Sequence, residues 1–370
     1  MRLVVKIGTS SLTDDSGTID GGAIDRVAAE VAWARSNGHQ VVVVTSGAIS
    51  AGLPPLGFGG RRPTDLPTLQ AVSAVGQHLL MAVWAGALAA HELVPGQVLL
   101  APLDFVHRQQ YLHARQTLER LLELGVVPVV NENDAIADDE IRFGDNDRLA
   151  ALVAHLLRAD LLVLLTDTPG LLTADPRVHE GASLIAEIVE FDAELEQMAT
   201  AGGSARGSGG MASKLAAAKI AAWSGVRAVI ASAEREGVLR GALAAEPGVG
   251  TFVRPRERRL PARKLWIAFA VGSRGTVIVD AGARAALVDG NRSLLPAGVT
   301  GVNGTFDAGD AVEVATPDGI VFAKGLTRHR SAVVTSWAGR RSVDLPSDAE
   351  HEVIHRDDLV VLPGGHPAAR

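Results

Sequence analysis

Short apolar runs alternate with longer helix-like segments along the first two thirds of the chain. The runs are rich in valine and leucine, which is typical of buried strands in a parallel sheet. They lie at residues 3–7, 41–45, 94–100, 126–130, 161–166 and 228–231. Segments long enough for helices lie between them, at 23–36, 111–124 and 148–159. This alternation predicts βαβ units with right-handed crossovers, and therefore an α/β domain with helices on both faces of its sheet.

The pattern changes after about residue 250. Prolines and basic residues cluster at 254–264, and short β-rich pieces follow at 276–280, 311–314, 320–323 and 333–335, separated by Gly, Asp and Asn. Such pieces predict a small β-barrel or sandwich. We therefore expect a first domain at 1–255, a basic, proline-containing linker and domain entry at 256–273, a second domain at 274–353 and a C-terminal tail at 354–370.

Composition narrows the possible functions. The chain has 370 residues, of which 47% are hydrophobic, so it can form two well-packed domains. A net charge of -7 and an aromatic content of 4% argue against nucleic-acid binding by the whole protein, although a local basic patch stays open. The absence of cysteine excludes disulfides, thiolate zinc sites and cysteine nucleophiles.

The chain also lacks the patterns of export and of membrane insertion. Its N-terminal apolar run has no charged lead of the signal-peptide type. The longest apolar stretch, at 79–90, is shorter than the roughly 20 residues needed to cross a bilayer and predicts a buried helix. We therefore expect a cytoplasmic protein without a membrane partner.

Two clusters of Asn and acidic residues follow the apolar run at 126–130. The first is Asn131-Glu132-Asn133-Asp134 and the second is Gly144-Asp145-Asn146-Asp147. Either cluster alone is equally well explained by turns and by capping of the next helix. Both follow a predicted strand, however, and ligands of open α/β sheets bind at the carboxyl ends of strands. Together the clusters favour a binding site.

Two lysines fall inside predicted glycine-rich loops. Lys6 ends the first predicted strand and precedes Gly8, and Lys214 follows the glycine-rich segment 202–210 and precedes a helical pattern. The chain has only five lysines and 30 arginines, so lysine is used sparingly. Glycine amides and a helix N-terminus suit nucleotide phosphates. The segment does not match a Walker A loop, and a flexible connection remains the alternative.

Two further strand ends carry polar side chains. Ser46 and Gly47 could hold a small anionic substrate, although a lone serine here is commonly a helix cap. The incomplete match to Gly-x-Ser-x-Gly argues against a serine hydrolase. Thr166 and Asp167 could border a purine or ribose, and a simple turn explains them equally well.

In this order the motifs resemble those of the amino acid kinase family, over nearly the whole chain. The residues that carry the resemblance are Val5-Lys6-Ile7-Gly8-Thr9-Ser10, Val44-Thr45-Ser46-Gly47-Ala48-Ile49, Ser73-Ala74-Val75-Gly76-Gln77, Val130-Asn131-Glu132-Asn133-Asp134, Gly144-Asp145-Asn146-Asp147, Leu165-Thr166-Asp167 and Gly209-Gly210-Met211. The resemblance implies a three-layer αβα sandwich with a mainly parallel sheet. The β-rich C-terminal part resembles a PUA domain, a small β-barrel that binds RNA in other proteins.

The resemblance also implies roles for individual residues. L-Glutamate would be bound by Ser46, Gly47, Asn131, Asp134 and Asn146, with Asp134 on the α-ammonium group. ATP would be bound by Lys6, Gly8, Thr166, Asp167, Ser208, Gly209, Gly210, Met211, Ala212, Ser213 and Lys214. Ser208 stands where threonine is more usual and keeps the hydroxyl. Lys6 and Lys214 would be catalytic by flanking the transferred phosphoryl group, with Asp147 orienting both.

The implied reaction is ATP-dependent phosphorylation of the γ-carboxylate of L-glutamate, with Mg²⁺ bridging the phosphates and no protein metal ligand assigned. A carboxylate is ionised at pH 7, so no general base is needed. Other acceptors, such as N-acetylglutamate or aspartate, are the first alternative, and an RNA-binding regulator acting through the PUA-like part is the second. The resemblance further implies a homo-oligomer, dimer or tetramer, and feedback inhibition by proline.

Overall fold

The structure of the protein is a computed structural model. The structure describes residues 1–14, 18–59, 61–105, 107–136, 146–174, 179, 181–191, 195, 198, 210–257, 259–346 and 350–367. The chain divides into two compact units, Met1–Arg259 and Leu260–Arg370. The segment expected at 256–273 is therefore shared between the two units.

The first unit is an α/β structure, as the alternation of patterns predicted. Its described strands are β1 (Arg2–Ile7), β2 (Gln40–Val44), β3 (Pro95–Leu100), β4 (Val127–Glu132), β5 (Leu161–Thr166), β6 (Glu187–Ile188), β7 (Arg227–Ser232) and β8 (Gly250–Val253). Its described helices are α1 (Thr9–Leu12), α2 (Gly21–Ser36), α3 (Ala48–Gly52), α4 (Leu66–Ala89), α5 (Arg108–Glu123), α6 (Asn146–Leu156), α7 (Met211–Trp223) and α8 (Val238–Ala244). All six predicted strands are confirmed, whereas the short strands β6 and β8 were not predicted.

Within the described residues, eight strands form one sheet in the order β3-β4-β2-β1-β5-β7-β8-β6. Every pairing is parallel except that between β7 and β8, so the prediction of a mainly parallel sheet is confirmed. β1 lies between β2 and β5. The chain leads from β1 to β2 on one side, whereas β5 on the other side follows β4. Such a reversal of strand order opens a crevice at the carboxyl ends of the strands.

Alternation of side chains along the strands builds the core on both faces of the sheet. Leu3, Val5 and Ile7 of β1 are fully buried and belong to a cluster with α2, α4 and α8. Val4 and Lys6 point to the opposite face, because neighbouring residues of a strand alternate. On that face α6 contacts β1, β5 and α7. The first unit is therefore a three-layer αβα sandwich.

Helix α4 is the longest described helix and contains the apolar stretch at 79–90. An 18-residue window of α4 has a mean hydropathy of 1.4, which by length and composition alone would suit a membrane span. Leu80, Trp84 and Leu88 are nevertheless buried in the core of the first unit. Asp65 caps the helix by accepting a hydrogen bond from the amide of Thr68. The prediction of a buried helix in this stretch is confirmed.

The second unit contains a five-stranded sheet in the described residues, in the order β10-β9-β11-β12-β13. The strands are β9 (Gly275–Val279), β10 (Val299–Gly304), β11 (Ala311–Ala315), β12 (Ile320–Thr327) and β13 (Ile354–Pro367). The helices are α9 (Ala262–Leu265), α10 (Ala281–Val288) and α11 (Ser331–Trp337), with a π-helix at Trp266–Ala270. A β-rich C-terminal unit is thus confirmed.

One element of the second unit was predicted wrongly. Residues 333–335, which are all β-branched, were predicted to form a strand. They lie in α11, where Val334 is fully buried in the hydrophobic cluster of this unit. Burial of that side chain outweighs the small strand preference of β-branched residues.

The cationic side chains between residues 254 and 264 contact groups of their own unit. Arg254 forms an ion pair with Glu187 at 2.5 Å, and Arg256 stacks over the ring of Trp223 at 4.7 Å. Arg259 donates to the carbonyl of Ser224 at 2.5 Å. In the second unit Arg263 pairs with Asp358, and Lys264 donates to a backbone carbonyl. The described part of this segment is therefore engaged in structural contacts.

Candidate active site

The carboxyl ends of four neighbouring strands meet at one edge of the first unit's sheet. Lys6 of β1 is in register with Val44 of β2 and Leu164 of β5, and Val44 is in register with Val130 of β4. The polar residues that follow these positions therefore lie at one edge, as the sequence predicted. The same edge is the ligand-binding side of open α/β sheets.

The centre of this edge is a carboxylate between two lysines. Asp147, in the first turn of α6, lies with Oδ1 2.6 Å from Nζ of Lys6 and with Oδ2 3.5 Å from Nζ of Lys214. The side chain of Asp147 is 0% exposed and each lysine side chain is 4% exposed. Ser213 donates a hydrogen bond of 2.5 Å to Oδ2 of the same carboxylate. The three buried charged groups and the partly buried Ser213 form one polar cluster.

The charges of this cluster compete with its burial. Burial pushes the pKa of Asp147 upward, but Lys6 and Lys214 outweigh it and hold that pKa below its usual value. Burial lowers the pKa of Lys214, the charge of Lys6 adds to this effect, and Asp147 opposes it. One carboxylate facing two cationic side chains leaves positive charge available for a phosphate group.

Both lysines lie in regular elements, so the prediction that they fall inside glycine-rich loops is wrong. Lys6 belongs to β1, and Lys214 lies in the first turn of α7. Their backbones are held by the ladder of the sheet and by helical hydrogen bonds, including one from the amide of Lys214 to the carbonyl of Gly210. The glycines precede or follow them: a Cβ atom added to Gly8 would lie 3.0 Å from Nζ of Lys6.

The other residues predicted to bind ATP lie around these lysines or outside the described residues. Thr166, at the end of β5, donates to Oδ1 of Asp167 at 3.0 Å. Gly210 is the N-cap of α7, and Met211, Ala212 and Ser213 form its first turn. Ser208 and Gly209 lie outside the described residues, as do Gly144 and Asp145 of the second acidic cluster.

A second group of polar contacts involves Ser46 and Asn146. Nδ2 of Asn146 donates to Oγ of Ser46 at 3.0 Å, so the hydroxyl hydrogen of Ser46 can point to another acceptor. Oδ1 of Asn146 is buried and has no hydrogen-bond partner among the described residues. Gly47 follows with φ of +104°, a conformation that favours glycine. Since Asn146 precedes Asp147, the two groups of contacts meet at the start of α6.

Asn131 and Asp134 form the third group, together with two side chains of α4. Asn131 donates to Oε1 of Gln77 at 2.8 Å, and Asp134 accepts from the hydroxyl of Ser73 at 3.0 Å. Burial raises the pKa of Asp134 to about 6, although the hydrogen bond from Ser73 and the charge of Arg62 act to lower it. A carboxylate at this position can bind an ammonium group when it is ionised.

Ser73 and Gln77 were not predicted as site residues. The sequence signal was present, because both are polar residues in an otherwise apolar helical pattern and they belong to one of the motifs that carried the family resemblance. Their spacing of four places them on one face of a helix. What the sequence alone did not reveal was that this face turns toward Asn131 and Asp134.

Comparisons with known proteins agree on the family of this chain. The model of the amino acid kinase family matches residues 1–232, and the model of the PUA domain matches residues 275–347. Glutamate 5-kinase from Myxococcus xanthus (strain DK1622) is 46% identical over 365 residues, which cover 98% of this chain and 96% of that protein. Glutamate 5-kinase from Nocardia farcinica (strain IFM 10152) is also 46% identical, over 358 residues that cover 97% of this chain and 96% of that protein.

A solved structure similar to this chain is the product complex of isopentenyl phosphate kinase from T. acidophilum. It is 19% identical, covers 69% of this chain and 100% of its own, and has a TM-score of 0.49.

Proposed function

We propose that this chain, which belongs to the amino acid kinase family, transfers the γ-phosphoryl group of ATP to the γ-carboxylate of L-glutamate. The products are L-glutamyl 5-phosphate and ADP, and the reaction is the first step of proline biosynthesis. The near-full-length similarity to glutamate 5-kinases supports the choice of acceptor. The observation that carries the chemistry is the buried Lys6–Asp147–Lys214 cluster beside the Asn146–Ser46 hydrogen bond.

The proposed step needs alignment and charge stabilisation more than proton transfer. An oxygen of the γ-carboxylate attacks the γ-phosphorus, while the bond from that phosphorus to the ADP oxygen breaks and ADP keeps the electron pair. The carboxylate is already ionised at neutral pH, so no side chain has to remove a proton. Lys6 and Lys214 face the region in which charge builds up on the phosphoryl oxygens, and Asp147 holds their ammonium groups in place.

The nucleotide would lie on the side of β5 and α7. Lys214 and the amides of the first turn of α7 suit its phosphates, and Thr166 and Asp167 border the same region. Both oxygens of Asp147 face Lys6, Lys214 or Ser213, so the described residues fit phosphate oxygens better than a directly bound metal ion. Mg²⁺ carried by the phosphates would supply further neutralisation of negative charge.

The amino-acid end of the substrate would lie on the side of α3 and β4. The hydroxyl of Ser46 and the backbone at Gly47 suit a carboxylate, and Oδ1 of Asn146 is a buried acceptor in need of a donor. Asp134 suits a free α-ammonium group. An N-acetyl group carries no positive charge to pair with that carboxylate, so glutamate fits the described residues better than N-acetylglutamate.

Trapping of the acyl phosphate with hydroxylamine tests this function directly. The purified protein is incubated with ATP, Mg²⁺, hydroxylamine and one acceptor, and the hydroxamate is measured by its colour with ferric ion. We expect product with L-glutamate and at least tenfold less with N-acetylglutamate or aspartate at equal concentration. A preference for either of the other acceptors would contradict the proposed substrate, and ADP formation without hydroxamate would contradict the acyl phosphate.

Other features expected from the sequence or from the family resemblance stay predictions. These are the oligomeric state, inhibition by proline, a cytoplasmic location and RNA binding by the PUA domain. For RNA binding, the described cations between residues 254 and 264 give little support, since each already contacts a group of its own unit. Removal of the second unit, followed by separate measurements of kinase activity and RNA retention, tests that role.

A further inference from the structure

One face of α4 contacts three parts of the candidate substrate site. Ser73, Gly76 and Gln77 are spaced three and four residues apart and therefore lie on the same side of the helix. All three are buried, and the two polar side chains are only 3% and 9% exposed. Buried polar side chains in an apolar helix are costly unless they are hydrogen-bonded, so their partners indicate why they are present.

Two hydrogen bonds fix the side-chain amides of Asn131 and Gln77. Oδ1 of Asn131 accepts a hydrogen bond of 2.9 Å from the amide of Glu132, and a backbone N–H can only donate. Nδ2 of Asn131 must therefore point toward Gln77, which presents Oε1 at 2.8 Å. The amide of Glu132 thus sets the orientation of Asn131, and Gln77 holds it there by accepting from Nδ2. Oδ1 of Asn131 keeps a second lone pair that can accept from the ammonium group of a ligand.

The contact between Ser73 and Asp134 has a comparable effect on a carboxylate. Oγ of Ser73 donates to Oδ2 of Asp134 at 3.0 Å, which fixes the carboxylate and stabilises its ionised form. Asp134 begins a short 3-10 turn, Asp134–Ile136, which contacts α4. The charged group that faces Asp134 from the segment between α3 and α4 is Arg62.

The glycine between these two residues brings α3 against α4. A Cβ atom on Gly76 would lie 1.8 Å from the carbonyl oxygen of Ala48, and one on Gly52 would lie 2.0 Å from that of Val72. Only glycine permits this approach of the two backbones. Because α3 begins directly after Gly47, α4 also fixes the turn that carries Ser46.

We infer that Ser73 and Gln77 are positioning residues that set the selectivity for a free α-amino acid, acting through Asp134 and Asn131. The inference rests on the proposed function, since it assigns Asn131 and Asp134 to the α-amino end of the acceptor. It predicts that changes at Ser73 or Gln77 weaken recognition of that end and leave Lys6 unaffected, because strand β2 lies between β4, which carries Asn131, and β1, which carries Lys6.

The test for Gln77 compares two near-isosteric variants. Gln77→Met keeps the length of the side chain and loses the acceptor, whereas Gln77→Glu keeps an acceptor for Nδ2 of Asn131. The exposed neighbour His78→Gln is the matched control. We expect Gln77→Met to raise the KM for glutamate about tenfold, the effect of one lost hydrogen bond, with kcat and the KM for ATP within about twofold of wild type. Gln77→Glu should recover most of the loss.

A substrate pair separates positioning from a general structural effect. Glutarate has the same two carboxylates as glutamate and lacks the α-amino group. In Gln77→Met the ratio of kcat/KM for glutamate to that for glutarate should fall about tenfold, while the value for glutarate changes less than twofold. An equal loss for both substrates, or an unchanged ratio, would overturn the inference for Gln77.

The test for Ser73 is the pH profile. In Ser73→Ala the acid limb of kcat/KM for glutamate should move to higher pH, because Asp134 loses the hydrogen bond that favours its ionised form. A limb at the wild-type pH would overturn the inference for Ser73. If the wild type prefers another acceptor in the hydroxamate assay, the proposed substrate fails by itself, and the same comparison with that acceptor and its analogue lacking the amino group decides the role of α4.

Discussion

Asp147→Asn is the substitution that most directly perturbs the lysine cluster. With an effective dielectric constant of about 20, the attraction at 2.6 Å between Asp147 and Lys6 is about 6 kcal/mol, and that at 3.5 Å to Lys214 is about 5 kcal/mol. The cost of burying the three charged groups offsets much of this attraction. Removing one member of a buried ion pair typically lowers the free energy of unfolding by about 3–5 kcal/mol, which is the range we expect here.

The expected outcome has a thermal and a kinetic part. A loss of that size should lower the midpoint of thermal unfolding by about 10 °C, since about 1 kcal/mol corresponds to 2–4 °C for a unit of this length. Turnover should fall at least about a hundredfold, because the ammonium groups are no longer held in line with the phosphoryl group. Saturating ATP should raise the unfolding midpoint of the variant more than that of the wild type, because its phosphates replace the missing negative charge.

The control for this experiment is Asp25→Asn, which removes an exposed carboxylate from the same unit. Its unfolding midpoint and turnover should match those of the wild type within error. Differential scanning calorimetry with and without ATP, together with the hydroxamate assay, gives all the required values. If Asp147→Asn kept both the stability and the turnover of the wild type, Asp147 would not be the group that holds the two lysines.

Three further predictions concern neighbouring residues. Lys6→Met and Lys214→Met should each lower kcat by about 10²–10³-fold or more with the fold intact by circular dichroism, whereas wild-type turnover would remove that lysine from the mechanism. Gly8→Ala should lower kcat about tenfold with little change in stability, because the new Cβ lies 3.0 Å from Nζ of Lys6 and displaces that ammonium group. An unchanged kcat would contradict the claim that the position of Nζ of Lys6 limits turnover. Asp134→Asn should raise the KM for glutamate and remove the fall in kcat/KM below about pH 6. A raised carboxyl pKa destabilises the folded state as pH rises through about 4 to 6. This variant should therefore also be more stable than the wild type by about 3 kcal/mol at pH 7 and nearly equal to it near pH 4, as measured by urea unfolding.

The elements that surround the site could be predicted from the sequence because their patterns are local. Apolar runs such as 126–130 and 161–166 produce strands, and polar residues directly after them, such as Asn131 and Thr166, must then lie at the carboxyl edge of the sheet. The sparing use of lysine drew attention to Lys6 and Lys214, which the structure brings to one carboxylate.

Contacts between distant parts of the chain could not be predicted in this way. Ser73 and Gln77 are separated from Asp134 and Asn131 by a strand and a helix, and only the packing of α4 against the sheet edge brings them together. Lys6 and Lys214 were predicted to lie in loops because glycines lie close to them in the sequence. Strand β1 and helix α7 extend through these two positions. The prediction of a strand at residues 333–335 was wrong because the burial of Val334 depends on tertiary packing, which the local sequence does not show.

The central claim is that a carboxylate oxygen of the acceptor attacks the γ-phosphorus at the Lys6–Asp147–Lys214 cluster. It is tested most directly with L-glutamate whose γ-carboxylate is labelled with ¹⁸O. Hydroxylamine attacks the carbonyl carbon of the product and releases the phosphate with the oxygen that bridged carbon and phosphorus. Mass spectrometry of that phosphate should show one ¹⁸O atom per molecule in the wild type. Phosphate without label would mean that water attacks ATP, and would contradict the account.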